Sequence, residues 1–243
     1  MKKVLRGFGI LLFVLLLWQI AAMIADAPIL PHPIRVIQHL SVTFFGSMSA
    51  HIAFSLMRIG LSVLCAVVIG LPLGIAIGYS HTLSRWLSPF LYLSYPVPKL
   101  ALLPVIMLFF GLGETSKVIV ILLILFFPMT MDIAGSVRAM NKEIFQTMRA
   151  FGISGLAIAR KVILPGILPA VLDSLKISLG IALSILFFAE NYGTRYGLGY
   201  HIMNSWQKMD YIDLYTGILA LSLLGFVLFL ILDLIQDKVS AWR

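Results

Sequence analysis

The sequence predicts an all-α, polytopic membrane fold, and three observations carry that expectation. Of its 243 residues, 60% are hydrophobic and only 12% are charged, about half the roughly 25% charge content of an ordinary soluble domain. The apolar residues fall in runs of the length that a bilayer core demands, roughly 20 residues per helix. No run shows the period-two alternation of a membrane strand. Backbone that faces lipid must satisfy its own hydrogen bonds, which leaves helices.

About six runs qualify, at residues 8–25, 59–79, 87–110, 118–136, 171–190 and 212–234. The first follows Lys2, Lys3 and Arg6, as a cleaved leader would. It is longer than the roughly 7–15 apolar residues of such a leader, and Trp18 and Gln19 near its far end suit a membrane helix, so it is expected to be a span. The third is interrupted by Pro96, Pro98 and Pro104. With six spans, one set of alternate segments (1–7, 80–86, 137–170 and 235–243) holds Lys2, Lys3, Arg6, Arg85, Arg138, Lys142, Arg149, Arg160, Lys161, Lys238 and Arg243. The other set holds Arg35, Lys117, Arg195 and Lys208. Cationic loops stay on the cytoplasmic side, so both termini are expected in the cytoplasm of a prokaryotic cell whose inner membrane holds the chain.

Composition excludes other classes. The formal charge of +8 is dispersed between long apolar spans rather than gathered in a basic stripe, so no nucleic acid is expected. The one cysteine, Cys65, allows no internal disulfide. His32, His39, His51, His81 and His201 lack metal-ligand spacing, so no metal site is expected. No span carries paired His and Glu ligands, and no glycine-rich loop ends in Gly-Lys-Ser or Gly-Lys-Thr. The chain is therefore expected to be no enzyme and to bind no cofactor. Work against a gradient must be driven by a partner or by an ion gradient.

Between the spans, Pro28, Pro31 and Pro33 predict an extended or turned start to the segment 26–51. Gly193, Gly197 and Gly199 predict tight backbone packing in 191–211. The segment 137–170 carries the clearest local pattern. Residues 141–151 can form a helix with Ile144, Met148 and Phe151 on one face. Gly152 interrupts it, and Ser154 is a candidate N-cap for a second short helix over 155–163. Pro165 and Pro169 bracket the start of the fifth run. The whole chain, 1–243, is expected to be a single domain without a linker.

At this segment the sequence resembles the permease family of binding-protein-dependent ABC importers. The family's cytoplasmic signature is Glu-Ala-Ala, three residues, Gly, nine residues, then Ile-x-Leu-Pro. Here Gly152 precedes Val162-Ile163-Leu164-Pro165 at that spacing, while Gln146-Thr147-Met148 replaces Glu-Ala-Ala. Further stretches resemble the nitrate, sulfonate and taurine branch. They are Pro31-His32-Pro33, Leu71-Pro72-Leu73-Gly74, Pro96 to Pro104 with Phe109-Phe110-Gly111-Leu112-Gly113-Glu114-Thr115-Ser116-Lys117, and Ala189-Glu190 followed by Gly197-Leu198-Gly199-Tyr200. Together they cover nearly the whole chain.

The resemblance implies a type I importer permease that works beside a second copy of itself. Two cytoplasmic ABC ATPase subunits would consume ATP and Mg, and an extracytoplasmic binding protein would deliver the small solute. It implies that Gly152, Ser154, Gly155, Leu156, Ile158, Leu164 and Pro165 belong to the coupling segment, with Leu156 and Ile158 as its apolar contact with the ATPase. It implies an outer-gate or packing role for Glu190.

Charges at membrane depth are costly and tend to face protein or water. Lys99, among prolines, and Glu190 are therefore candidates to line the path, and Asp173 and Lys176, three apart on one helical face, can pair locally. The alternative is a gradient-driven secondary transporter, a class that shows internal repeats; none is evident here.

Overall fold

The computed structural model describes residues 2–153 and 155–240, and every described element is helical. Helix α1 (Lys2–Ala25) stops at Asp26, whose φ of 38° is left-handed and whose N–H donates to Ala22 O at 3.1 Å. One such bond to the last turn is an ordinary helix stop. Helix α2 (Pro33–Thr43) opens on the proline that the sequence placed in a turn, because a missing N–H costs nothing at a first helical position. Helix α3 (Ser47–Tyr79) contains the second run but starts well before it.

The third run is not one straight crossing. Helix α4 (His81–Ser94) is separated by Pro96 and Pro98 from a 3₁₀ turn (Lys99–Leu102) and helix α5 (Leu103–Phe110), and the two halves are bent by 84°. Two prolines remove two donors and hold the chain out of helical geometry. Helix α6 (Glu114–Arg138) is the fourth span. Helices α7 (Lys142–Ala150) and α8 (Gly155–Ile158) lie in the predicted coupling segment. A π-helical turn (Ala159–Ile163) joins α8 to α9 (Leu164–Ala189). Helix α10 (Leu198–Gln207) was not anticipated in its glycine-rich segment, and α11 (Tyr211–Ser240) closes the chain. Ser47–Tyr79, Glu114–Arg138, Gly155–Ala189 and Tyr211–Val239 are each long and apolar enough to cross a bilayer, the bent pair is long and apolar enough only when its halves are taken together, as a broken span or a re-entrant loop, and Leu12–Ala25 is a shorter apolar helix.

Packing divides the chain into two compact units, residues 1–55 with 190–224 and residues 56–189 with 225–243. In the second, α6 is the central element. Its Val120, Ile121, Ile124, Leu125, Met129, Ile133 and Val137 are buried, as are Val171, Leu172, Leu175, Leu179, Ala182 and Leu186 of α9. These helices pack together. Against α6, helix α3 presents Gly70, Gly74 and Gly78, one per turn. A Cβ on Gly74 would stand 2.7 Å from Ile133 Cβ, and one on Gly78 2.5 Å from Val137 Cβ. Lipid supplies little hydrophobic drive between helices, so close backbone approach at small residues is what holds such pairs. In the first unit α10 packs on α11 at Gly217, where a Cβ would lie 2.8 Å from the His201 ring.

Candidate functional site

The segment expected to couple to a partner is built from a capped helix, a left-handed turn and a second helix. Asn141 Oδ1 accepts the Glu143 N–H at 2.9 Å and caps α7. At the other end Ile153 N–H reaches back to Met148 O at 3.1 Å, and Gly152 between them has φ 70°. That is a Schellman stop, which needs a residue free of the Cβ penalty at its left-handed position. Tyr79 and Phe145 meet edge to face at 5.7 Å and tie α7 to the end of α3. Beside this contact lies a cavity of about 290 Å³ lined by Tyr79, Arg138, Phe145 and Gln146, among others. Gln146 occupies the position of the family's glutamate.

Of the residues expected to meet a partner here, Leu156 is 81% exposed and Ile158 is fully buried. Phe151 is 77% exposed, so the outward apolar pair is Phe151 and Leu156, while Ile158 packs inward with Ile163. Gly155 starts α8. Ser154 lies outside the described residues. The π-helical turn sits directly before Pro165, with Leu164 N–H bonded to Ala159 O. A proline that cannot donate into the ladder is accommodated there by one widened turn.

Lys99 serves the backbone. Its Nζ donates to Ser94 O and Tyr95 O, both at 2.6 Å, and lies 5.2 Å from the centre of the Phe127 ring. It adds a donor to carbonyls at the end of α4, where the prolines stop the helix; Ser94 O also accepts the Val97 N–H at 3.4 Å. The Gly-Leu-Gly-Glu-Thr-Ser-Lys motif is a second locked turn. Ser116 donates to Gly111 O, and the fully buried Lys117 donates to Leu112 O and Gly113 O at 2.8 and 3.1 Å. The buried Arg58 guanidinium grips Glu114 with two bonds, of 2.5 and 2.8 Å. Removing Glu114 leaves the guanidinium's charge without that carboxylate. Glu114→Ala is expected to lower stability by about 2–3 kcal/mol, read as a lower thermal midpoint in detergent. An unchanged midpoint would mean that solvent replaces the carboxylate.

Glu190, Ser55 and His51 form a third lock, on α10. Glu190 Oε2 accepts the Gly199 N–H at 2.7 Å, Ser55 Oγ accepts the Leu198 N–H at 2.8 Å, and Ser55 donates to Glu190 Oε1 at 2.7 Å. His51 Nδ1 lies 2.9 Å from Gly197 O and 3.1 Å from Gly197 N, and its tautomer sets which of the two it bonds. Glu190 and Ser55 thus meet two successive N–H groups at the positive end of the helix. Sequence reasoning marked Glu190 and missed Ser55 and His51, which have no signal until α3 is placed beside α10.

Asp173 and Lys176 do not pair with each other. Lys176 bonds Asp233 and Gln236 of α11, and Gln236 donates to Asp173 at 2.8 Å. Asp132 accepts from Ser174 at 2.6 Å. Among the described residues no group of His, Cys, Asp and Glu could hold a metal ion.

Residues 66–242 match the family model described as binding-protein-dependent transport system inner membrane component. The chain belongs to this family. It is 33% identical to the taurine transport system permease protein of Escherichia coli (strain K12), over 100% of this chain and 91% of that one. It is 29% identical to the putative aliphatic sulfonates transport permease protein of Bacillus subtilis (strain 168), over 98% and 88%. Its fold is similar to that of a chain of the inward-facing MetNI methionine ABC transporter, with TM-score 0.67 and 19% identity, covering 79% of this chain and 95% of that one. The permease is an all-helical membrane transport subunit.

Outside the spans, one group of this permease titrates in an informative way. Burial holds the His201 imidazole below its ordinary value; Asp213 opposes this, and His51 and His39 add to it. The folded state therefore binds fewer protons than the unfolded state, and stability rises with pH. The contribution is present above about pH 6.5, the unfolded value, and is lost as pH falls below it. The thermal midpoint is expected to drop on acidification, with a shallower drop in His201→Gln. Equal slopes would remove His201 as the cause.

Proposed function

We propose that the chain forms, with a second copy of itself, the translocation path of an ATP-driven importer for small sulfonates such as taurine and alkanesulfonates. The observation that carries the reading is the coupling segment. Its Schellman turn at Gly152 presents Phe151 and Leu156 outward immediately before the helical run that enters the membrane as α9. An apolar knob on a stiff helical base can transmit a rigid-body movement of a partner. In this reading the partner is a cytoplasmic ABC ATPase that hydrolyses ATP with Mg, both termini lie on its side, and residues 137–170 dock on it. The whole chain serves as one permease domain.

An extracytoplasmic binding protein delivers the solute. The sulfonate class is supported by the similarity to taurine and aliphatic sulfonate permeases along nearly the full chain. Lys99 and Glu190 act on the path by fixing the backbone at the proline break and at the start of α10.

The test is affinity purification of the tagged full chain from native membranes in mild detergent, with mass spectrometry and ATPase assay of the eluate, alongside uptake of radiolabelled taurine by intact cells. A stoichiometric ATPase that is lost in Phe151→Asp/Leu156→Asp, and taurine uptake that requires the chain, are the expected results. A chain that purifies alone without nucleotide hydrolysis overturns the importer reading. A retained ATPase without sulfonate uptake overturns only the substrate.

A further inference from the structure

Two cavities lie one beside the other in the unit formed by residues 1–55 and 190–224. The larger, about 710 Å³, is bounded by the end of α1, the 26–32 turn, the start of α2 and the turn between α10 and α11. The smaller, about 270 Å³, lies between Trp18 of α1 and Tyr215, Ile218, Leu219 and Ser222 of α11. Leu30 lines both. The first is a charged chamber holding Arg35, Lys208, Asp26 and Asp210. The second is an apolar slot between α1 and α11. From Tyr215 to Ser222 it extends about 10 Å along α11 at 1.5 Å per residue.

The chemistry of the two parts matches one kind of molecule. We propose that this paired cavity binds a phospholipid with a phosphoethanolamine headgroup, phosphate on Arg35 and Lys208, ammonium on Asp26 and Asp210, and one acyl chain in the slot between Trp18 and Tyr215. Two cations and two carboxylates suit a zwitterion with a proton-donating ammonium. A choline head cannot donate to the carboxylates, and a glycerol head brings no positive charge to them.

Trp18 stacks on Tyr215, ring centres 5.5 Å apart, which holds the indole in place as a wall of the slot. The left-handed Asp26 and Met209 on the chamber wall follow from helix stops. For α10 these are the Met209 N–H to Trp206 O and Asp210 N–H to Ser205 O bonds, 3.0 and 2.9 Å. The chamber is therefore fixed by its own backbone.

The test uses the full chain with whatever partners co-purify, placed in nanodiscs of equal phosphatidylethanolamine, phosphatidylcholine and phosphatidylglycerol and read by native mass spectrometry. Retained phosphatidylethanolamine is expected at least tenfold above the other two. Arg35→Gln/Lys208→Gln is expected to abolish that preference. Ser222→Phe, which narrows the slot and leaves the charges alone, is expected to lower total retention about tenfold. Soluble phosphoethanolamine is expected not to compete. Equal retention of the three lipids, insensitivity to both variants, displacement by soluble phosphoethanolamine, or a second protein chain found by crosslinking to cover Arg35 and Lys208 would each overturn the proposal.

Discussion

Gly152→Val is expected to lower solute uptake at least tenfold, while Gly152→Asn keeps most of it and both variants reach the membrane in normal amount. The reason is conformational. With φ at 70° the position is left-handed, and a Cβ built there meets nothing within 4 Å, so the effect of a side chain is backbone strain and not crowding. An L-residue pays roughly 1–2 kcal/mol in this region, asparagine least and a β-branched residue most. About 1.4 kcal/mol is a factor of ten in an equilibrium. The Schellman bond from Ile153 to Met148 then opens, and Phe151 and Leu156 lose their fixed direction. Uptake of radiolabelled taurine and membrane content by immunoblot separate loss of coupling from loss of protein. Equal uptake in the Val and Asn variants would detach coupling from the geometry of this turn.

Gly78→Leu is expected to remove folded protein altogether, with monodisperse yield reduced at least tenfold. Its Cβ would stand 2.5 Å from Val137 Cβ and 2.8 Å from Ala134 O. Neither neighbour is the end of a flexible side chain, so α3 must move away from α6 along its length. Overpacking of a tight core costs about 1–3 kcal/mol, and here the loss extends to the contacts of Gly74 one turn away. Gly60→Leu on the same helix is the control, because a Cβ there has nothing within 4 Å. Equal size-exclusion profiles for the two variants would contradict the close approach of α3 to α6. Gly70→Ala should fall between them, since its nearest neighbour is the mobile end of Met129 at 2.7 Å.

The candidate site was legible in the sequence where its signal is local. The Gly152 to Pro165 spacing sits on a real helix stop and a real proline-linked π turn, because both are consequences of backbone chemistry at a single residue. The glutamine that replaces the family's glutamate lines a cavity with Arg138, a neighbour that no spacing could have supplied. Ile158 and Leu156 are two apart on one helix and so lie on opposite faces. The direction in which α8 leaves the turn decides that Ile158 is the buried one.

Composition and run length alone determined that the chain is helical and spans a bilayer, because lipid admits few other solutions and the apolar runs are long enough to meet them. Proline position determined where the third run breaks, since a missing N–H acts wherever it falls. The tertiary structure decided the partners of charges that meet across helices. Arg58 is gripped by Glu114, Lys176 by α11 rather than by Asp173, and Glu190 by Ser55 and the start of α10, whereas Lys117 bonds the turn just before it. The cross-helix pairings depend on which helices lie side by side. That adjacency rests on close fits such as Gly78 against Val137, which act through shape between residues far apart in sequence, and no periodicity within a single helix encodes them.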